Sequence, residues 1–106
     1  MSVFDERRRG FEEKFRLEEE LCFKLTARRN HLFGRWAAGA LGLSANAAED
    51  YARSVVFADL QEPGDDDVIA KVEKDLSGNS ILMTREQLRQ KLDEFAGEAR
   101  AQMMIA

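Results

Sequence analysis

Lys24, Arg28, His31 and Arg35 stand four, three and four residues apart, which lays three cations and an imidazole along one stripe of a helix. Such a stripe can hold a phosphate or an acidic protein surface. It can equally be a solvated face, or one that ion-pairs toward the acidic second and third helices, and charged helix faces are ordinarily of that kind. Other candidates for chemistry are few. Cys22 precedes His31, the single histidine, by nine residues. On a helix the two fall about 180° apart, poor geometry for a Cys–His nucleophile, and Cys22 reads instead as a small core hydrophobe. Asp65, Asp66 and Asp67 lack the spacing of a calcium loop and supply too few converging oxygens for a hard cation. They read as a helix start, where carboxylates cap free N–H groups and oppose the positive end of the macrodipole. There is no Walker-type glycine loop and no Gly-x-Gly-x-x-Gly. The expectation is therefore no catalytic residue, no metal site and no cofactor: this chain is not an enzyme.

The elements that must position these residues are helical. From Phe4 to Leu41 there is no proline, and Phe4, Phe11, Phe15, Cys22, Leu25, Leu32 and Trp36 recur in steps of seven, four and three. The best-defined apolar stripe runs from Cys22 through Leu25, Leu32, Phe33, Trp36, Ala37, Ala40 and Leu41, with Trp36 as a core anchor. Arg29 falls on that stripe, so its guanidinium must pair with a carboxylate or snorkel outward. Gly42 is the expected stop. Ser44 or Asn46 opens a second helix, with Ala48, Tyr51, Ala52, Val55 and Val56 on its buried face and Pro63-Gly64 as its limit. A short third helix buries Val68, Ile69, Val72 and Leu76. After the loop Ser77-Gly78-Asn79-Ser80, Thr84 and Gln87 form a capping box with Met83 and Leu88 as its staple. Leu88, Leu92, Phe95, Ala99 and Met103 then share a face. No stretch alternates with period two, and the fold class is all-α, a four-helix bundle.

With 106 residues the chain makes one core. A net charge of -4 argues against nucleic acid as the main partner. No apolar run is long enough for membrane insertion, and the start lacks an apolar signal core, so a cytoplasmic location is expected. One cysteine excludes an internal disulfide.

A continuous first helix would be about 57 Å long, against roughly 30 Å for the later ones, so its beginning overhangs the bundle. Residues 1–17 are expected to be a mobile helical arm and residues 18–106 the four-helix bundle domain. Disordered tails are poor in aromatics, yet Phe4, Phe11 and Phe15 recur here, with Glu12 and Arg16 as a helix-favouring pair. The arm is expected to be mobile when free and helical when bound, its phenylalanines anchoring in a partner groove.

Phe4-Asp5-x-Arg7 followed by Phe11-Glu12-x-Lys14-Phe15 resembles the start of the zeta subunit of alphaproteobacterial F-type ATP synthases. The run from Phe23-Lys24 through Ala27-Arg28-Arg29-Asn30, Leu32, Gly34 and Trp36-Ala37-Ala38 is similar to the same family, as is Gly64-Asp65-Asp66-Asp67-Val68. The resemblance covers essentially the whole chain. It implies an inhibitor of ATP hydrolysis whose arm inserts at a catalytic alpha–beta subunit interface beside the gamma subunit of the rotor and blocks hydrolytic rotation. Mapped here, Phe4, Asp5, Arg7, Phe11, Glu12, Lys14 and Phe15 would contact the partner, and the protein would sit peripherally at the inner membrane through the enzyme. The alternative is a helical module that binds adenine nucleotide or another anion on the Lys24, Arg28 and Arg35 face and reports to a protein partner.

Overall fold

The computed structural model describes the backbone of residues 3–61 and 64–105 and the side chains of residues 19–59 and 64–103. Four helices follow one another: α1 (Val3–Ala40), α2 (Ala45–Gln61), α3 (Asp65–Ser77) and α4 (Arg85–Ile105). The all-α, four-helix architecture is as the periodicity requires. Pro63, expected to limit the second helix, lies outside the described residues.

Local chemistry sets the boundaries. Gly42 adopts φ 74°, which a Cβ would resist, and this lets the chain close a Schellman motif. The amide of Leu43 donates to the Ala38 carbonyl at 3.1 Å and that of Gly42 to the Gly39 carbonyl at 3.1 Å. Of the two candidate starts for α2, Ser44 is the one used, since its carbonyl accepts from the Ala48 amide at 2.7 Å. The capping box of α4 closes reciprocally. The Gln87 amide donates to Thr84 Oγ1 at 3.1 Å, and the Thr84 amide to Gln87 Oε1 at 3.0 Å. The three aspartates behave differently from the expectation. Gly64 is the N-cap of α3 and no side chain caps it, so Asp65, Asp66 and Asp67 sit in the first turn. There they still oppose the macrodipole, while Asp65 and Asp66 are drawn into ion pairs with other helices.

The core gathers Phe33 and Ala37 of α1, Val55 of α2, Val68, Ile69, Val72 and Leu76 of α3, and Leu88 and Leu92 of α4. Trp36 packs against it half-buried, stacked on Phe33 with ring centroids 5.8 Å apart, as an anchor should. Met83 lies against the same core, where the staple needs it. The expected stripe of α1 is corrected in two places: Cys22 is exposed and so is Ala40. The face that enters the core is Asn30, Phe33, Ala37 and Ala38. Cys22 lies outside the core, on the wall of a small cavity that Leu25, Ala96 and Arg100 also line.

Helix α2 approaches α1 closely. A Cβ at Gly34 would stand 2.7 Å from Ala52 Cα and 3.2 Å from Val55 Cβ, so glycine is what permits the crossing. Both α2 and α4 run antiparallel to α1: His31 and Arg35 meet Glu49, and Trp36 meets Phe95 whereas Arg28 meets Gln102. Helix α3 is tied across by Tyr51 to Asp75 at 2.8 Å, Arg85 to Glu73 at 3.3 Å and Arg89 to Asp66 at 2.8 Å.

Candidate functional site

Two regions of α1 carry the expected site residues. The first is its N-terminal stretch. Phe4, Asp5, Arg7, Phe11, Glu12, Lys14 and Phe15 all lie within the helix, and their side chains lie outside the described residues. The helix has 38 residues against 17, 13 and 21 for the others, so it cannot be matched along its length by any of them. The whole molecule measures 65 × 26 × 21 Å. From Glu19 to Lys24 the described side chains are exposed, including Phe23 at 59%. Burial begins only where α2 and α4 come alongside.

The second region is a cavity of about 680 Å³ among α1, α2 and α4. Ala27, Val56, Phe57 and Met103 give it an apolar lining; Lys24, Arg28 and Arg53 give it cationic groups, and His31, Gln102 and the Glu49 carboxylate complete it. Its volume lies in the range of small-molecule sites. Lys24 and Arg28 of the expected face are brought together here. Arg35 is not part of the lining; it pairs at 2.7 Å with Glu49, which is. Arg28 donates to Gln102 Oε1 at 2.9 Å, which fastens α1 to the end of α4. Phe57, Arg53 and Gln102 were not singled out by spacing, whereas Met103 was, as the end of the apolar face of α4. They come from two other helices, and the one local signal is Phe57, a large apolar residue that remains 57% exposed.

Glu49 organises the basic stripe. His31 Nε2 lies 3.0 Å from its Oε1, and since a carboxylate only accepts, that nitrogen carries the donated proton. Arg53 approaches to 3.6 Å as an i,i+4 partner. The His31 hydrogen bond does most to hold the Glu49 carboxyl below the usual glutamate value; burial opposes it, and the electrostatic influence of His31, Arg35 and Arg53 adds to the lowering. Two members of the stripe, His31 and Arg35, thus meet Glu49 of the second helix, while Arg28 meets Gln102 of α4.

On another side of α1, Arg29 donates to Asn30 Oδ1 at 3.1 and 3.0 Å and to Asp65 Oδ1 at 2.9 Å. Its side chain is only 14% exposed, so the carboxylate partner that its place on the stripe demanded is present. Asn30 is fully buried, and its Nδ2 has no partner among the described residues. Tyr51 donates to Asp75, and burial followed by that hydrogen bond pushes its hydroxyl pKa up. Among the described residues no cluster of three or more His, Cys, Asp or Glu side chains could hold a metal ion. No described helix is long and apolar enough to cross a membrane.

Comparison with known proteins agrees with this architecture. A solution NMR structure of a protein matches with 43% identity and a TM-score of 0.67, covering 77% of this chain and 93% of the other. No curated protein matches significantly. The family model described as "ATPase inhibitor subunit zeta" matches residues 1–102, which takes in α1, α2, α3 and α4 as far as Gln102. The chain therefore belongs to the ATPase inhibitor subunit zeta family, whose description is that of a regulatory inhibitor.

Proposed function

We propose that the protein inhibits ATP hydrolysis by inserting residues 1–17 at a catalytic alpha–beta interface of the F-type ATP synthase head, beside the gamma subunit. The observation that carries this reading is the length of α1, whose N-terminal half outruns every helix available to cover it. A long helix bearing Phe4, Phe11 and Phe15 suits a groove, with Phe11 and Phe15 one turn apart and Phe4 two turns further along. Aromatic anchors dominate such interfaces, while Asp5, Arg7, Glu12 and Lys14 would set orientation from the rim. The division into an arm, residues 1–17, and a bundle, residues 18–106, follows from the same mechanism: the bundle limits how far the arm enters. Acting this way, the protein is peripheral to the inner membrane on the cytoplasmic face.

The test is ATP hydrolysis by the cognate catalytic head with the full chain and with a chain starting at Leu17. Inhibition by the full chain alone supports the reading; equal inhibition by both moves the effector onto the bundle.

A second reading rests on the cavity beside Lys24 and Arg28, whose apolar lining and cationic groups suit an anionic, partly apolar ligand such as an adenine nucleotide. In this reading Arg35 acts only through Glu49. Titration with ATP should move amide resonances around Lys24, Arg28 and Phe57; the absence of any shift there removes it.

A further inference from the structure

Helix α1 leaves the bundle where its antiparallel neighbours stop. Gln102 of α4 stands level with Arg28, and α4 runs on only to Ile105, which at equal rise is level with Leu25. Helix α2 passes α1 at Gly34, against Ala52 and Val55, and ends at Gln61, at a similar height. Beyond this exit the backbone of α1 remains helical, while the side chains from Glu19 to Lys24 are exposed.

The turns of α1 just inside the exit are loosely packed. On one side the cavity of about 680 Å³ lies between Lys24, Ala27 and Arg28 and the facing residues of α2 and α4. On the other, a cavity of about 220 Å³ lies between Cys22, Leu25 and Thr26 and the α4 residues Ala96 and Arg100. A void forfeits the dispersion contacts that make a helix pair rigid. Among the described residues the first fully buried side chain of α1 is Asn30, further in than this stretch. Packing alone therefore does not fix the angle at which α1 emerges.

A polar tie spans the gap. Arg28 Nε donates to Gln102 Oε1 at 2.9 Å, and Gln102 Nε2 donates to Glu98 Oε1 at 3.3 Å. Both ends of the Gln102 amide are in use, so its oxygen is held toward α1. The Glu98 carboxylate, one turn back on α4, polarises that amide and makes its oxygen a better acceptor for the guanidinium. Among the described residues this is the hydrogen bond nearest the exit that joins α1 to another helix; Arg29, the next, reaches α3 instead.

We propose that Gln102 is a positioning residue: through Arg28 it fixes the direction in which α1 leaves the bundle. The direction itself stands on the geometry of the exit. Its consequence, that a misdirected arm inhibits less, rests on the function proposed above.

Residual dipolar couplings of backbone amides in the full chain read this direction without reference to inhibition. In the wild type, residues 19–24 should share one alignment tensor with residues 30–40 of the same helix. Gln102→Ala and Arg28→Ala remove the acceptor and the donor in turn, and each should lower the couplings of residues 19–24 relative to those of residues 30–40. A chain carrying both should lose no more than either, since the two side chains act as one tie. Gln102→Glu keeps an oxygen for Arg28 and should retain the wild-type couplings. Melting temperatures should stay unchanged throughout, because the pair is exposed and lies outside the core. In ATP hydrolysis assays the two alanine variants should inhibit several-fold less than the wild type, and Gln102→Glu should match it. Unchanged couplings in both alanine variants overturn the proposal. So does a wild type whose residues 19–24 already fail to share the tensor, or a loss in Gln102→Glu equal to that in Gln102→Ala. Couplings lost with inhibition intact uphold the positioning role and count against the arm as the effector.

Discussion

Arg29 serves two partners at one point. Its guanidinium satisfies Asn30 Oδ1 inside the bundle and reaches Asp65 at the start of α3, so it binds α1 to α3 through a largely buried cation. Arg29→Ala should cost about 2 kcal/mol, because it strands a buried amide oxygen as well as removing the ion pair. Asp65→Asn should cost under about 1 kcal/mol, since that carboxylate is half exposed. Urea unfolding of the two variants measures both. Glu49 makes a pH-dependent contribution of defined sign. Its folded carboxyl binds a proton less readily than the unfolded one, so its stabilisation is present above the ordinary glutamate value and is lost as pH falls through the depressed folded value. Melting of wild type and Glu49→Gln should differ at neutral pH and converge in acid; a constant gap would contradict the assignment. The need of Arg29 for a partner was legible from its place between Leu25 and Leu32. Which carboxylate answers was not, because Asp65 is far away in the chain and only the packing of α3 delivers it.

At the scale of elements, the helix ends were the most legible features, since each is written in a few adjacent residues. The Thr84 and Gln87 box and the Gly42 stop both formed, and Thr84→Ala should cost about 1 kcal/mol of stability in the same unfolding assay. The buried face of α1 was read less well. Its apolar repeat, through Cys22, Leu25, Leu32 and Trp36, is a seam that lies half-buried or exposed. The core face is Asn30, Phe33 and Ala37, one residue and so about 100° further round. Small residues on that side admit α2, which periodicity of large side chains does not register. Gly34 marks the closest point. Gly34→Ala should cost about 1–3 kcal/mol, because the new methyl meets backbone at Ala52 rather than a side chain that could turn aside.

The whole molecule is a short bundle with one helix continued well past it, and its two parts should separate in experiment. Because the core runs from Asn30 to Ala99, a chain beginning at Leu17 should melt at the same temperature as the full chain while losing inhibition of ATP hydrolysis. A large fall in melting temperature would show instead that the arm supports the bundle. The cavity beside Lys24 and Arg28 belongs to this scale as well, for it exists only where three helices meet.

By itself the sequence determined what depends on near neighbours: four helices, the Gly42 stop and the Thr84–Gln87 box, the buried residues of α3, the length of α1 and the motifs of the zeta family. Tertiary structure alone decided that Asn30 rather than Cys22 is buried, that Asp65 answers Arg29, that Glu49 gathers His31 and Arg35, and that Phe57 and Met103 join Lys24 in a cavity. The reason is one of range. Propensity and capping act within a few residues, whereas the rotation of a helix about its axis is set by which partners surround it, and those partners come from distant parts of the chain.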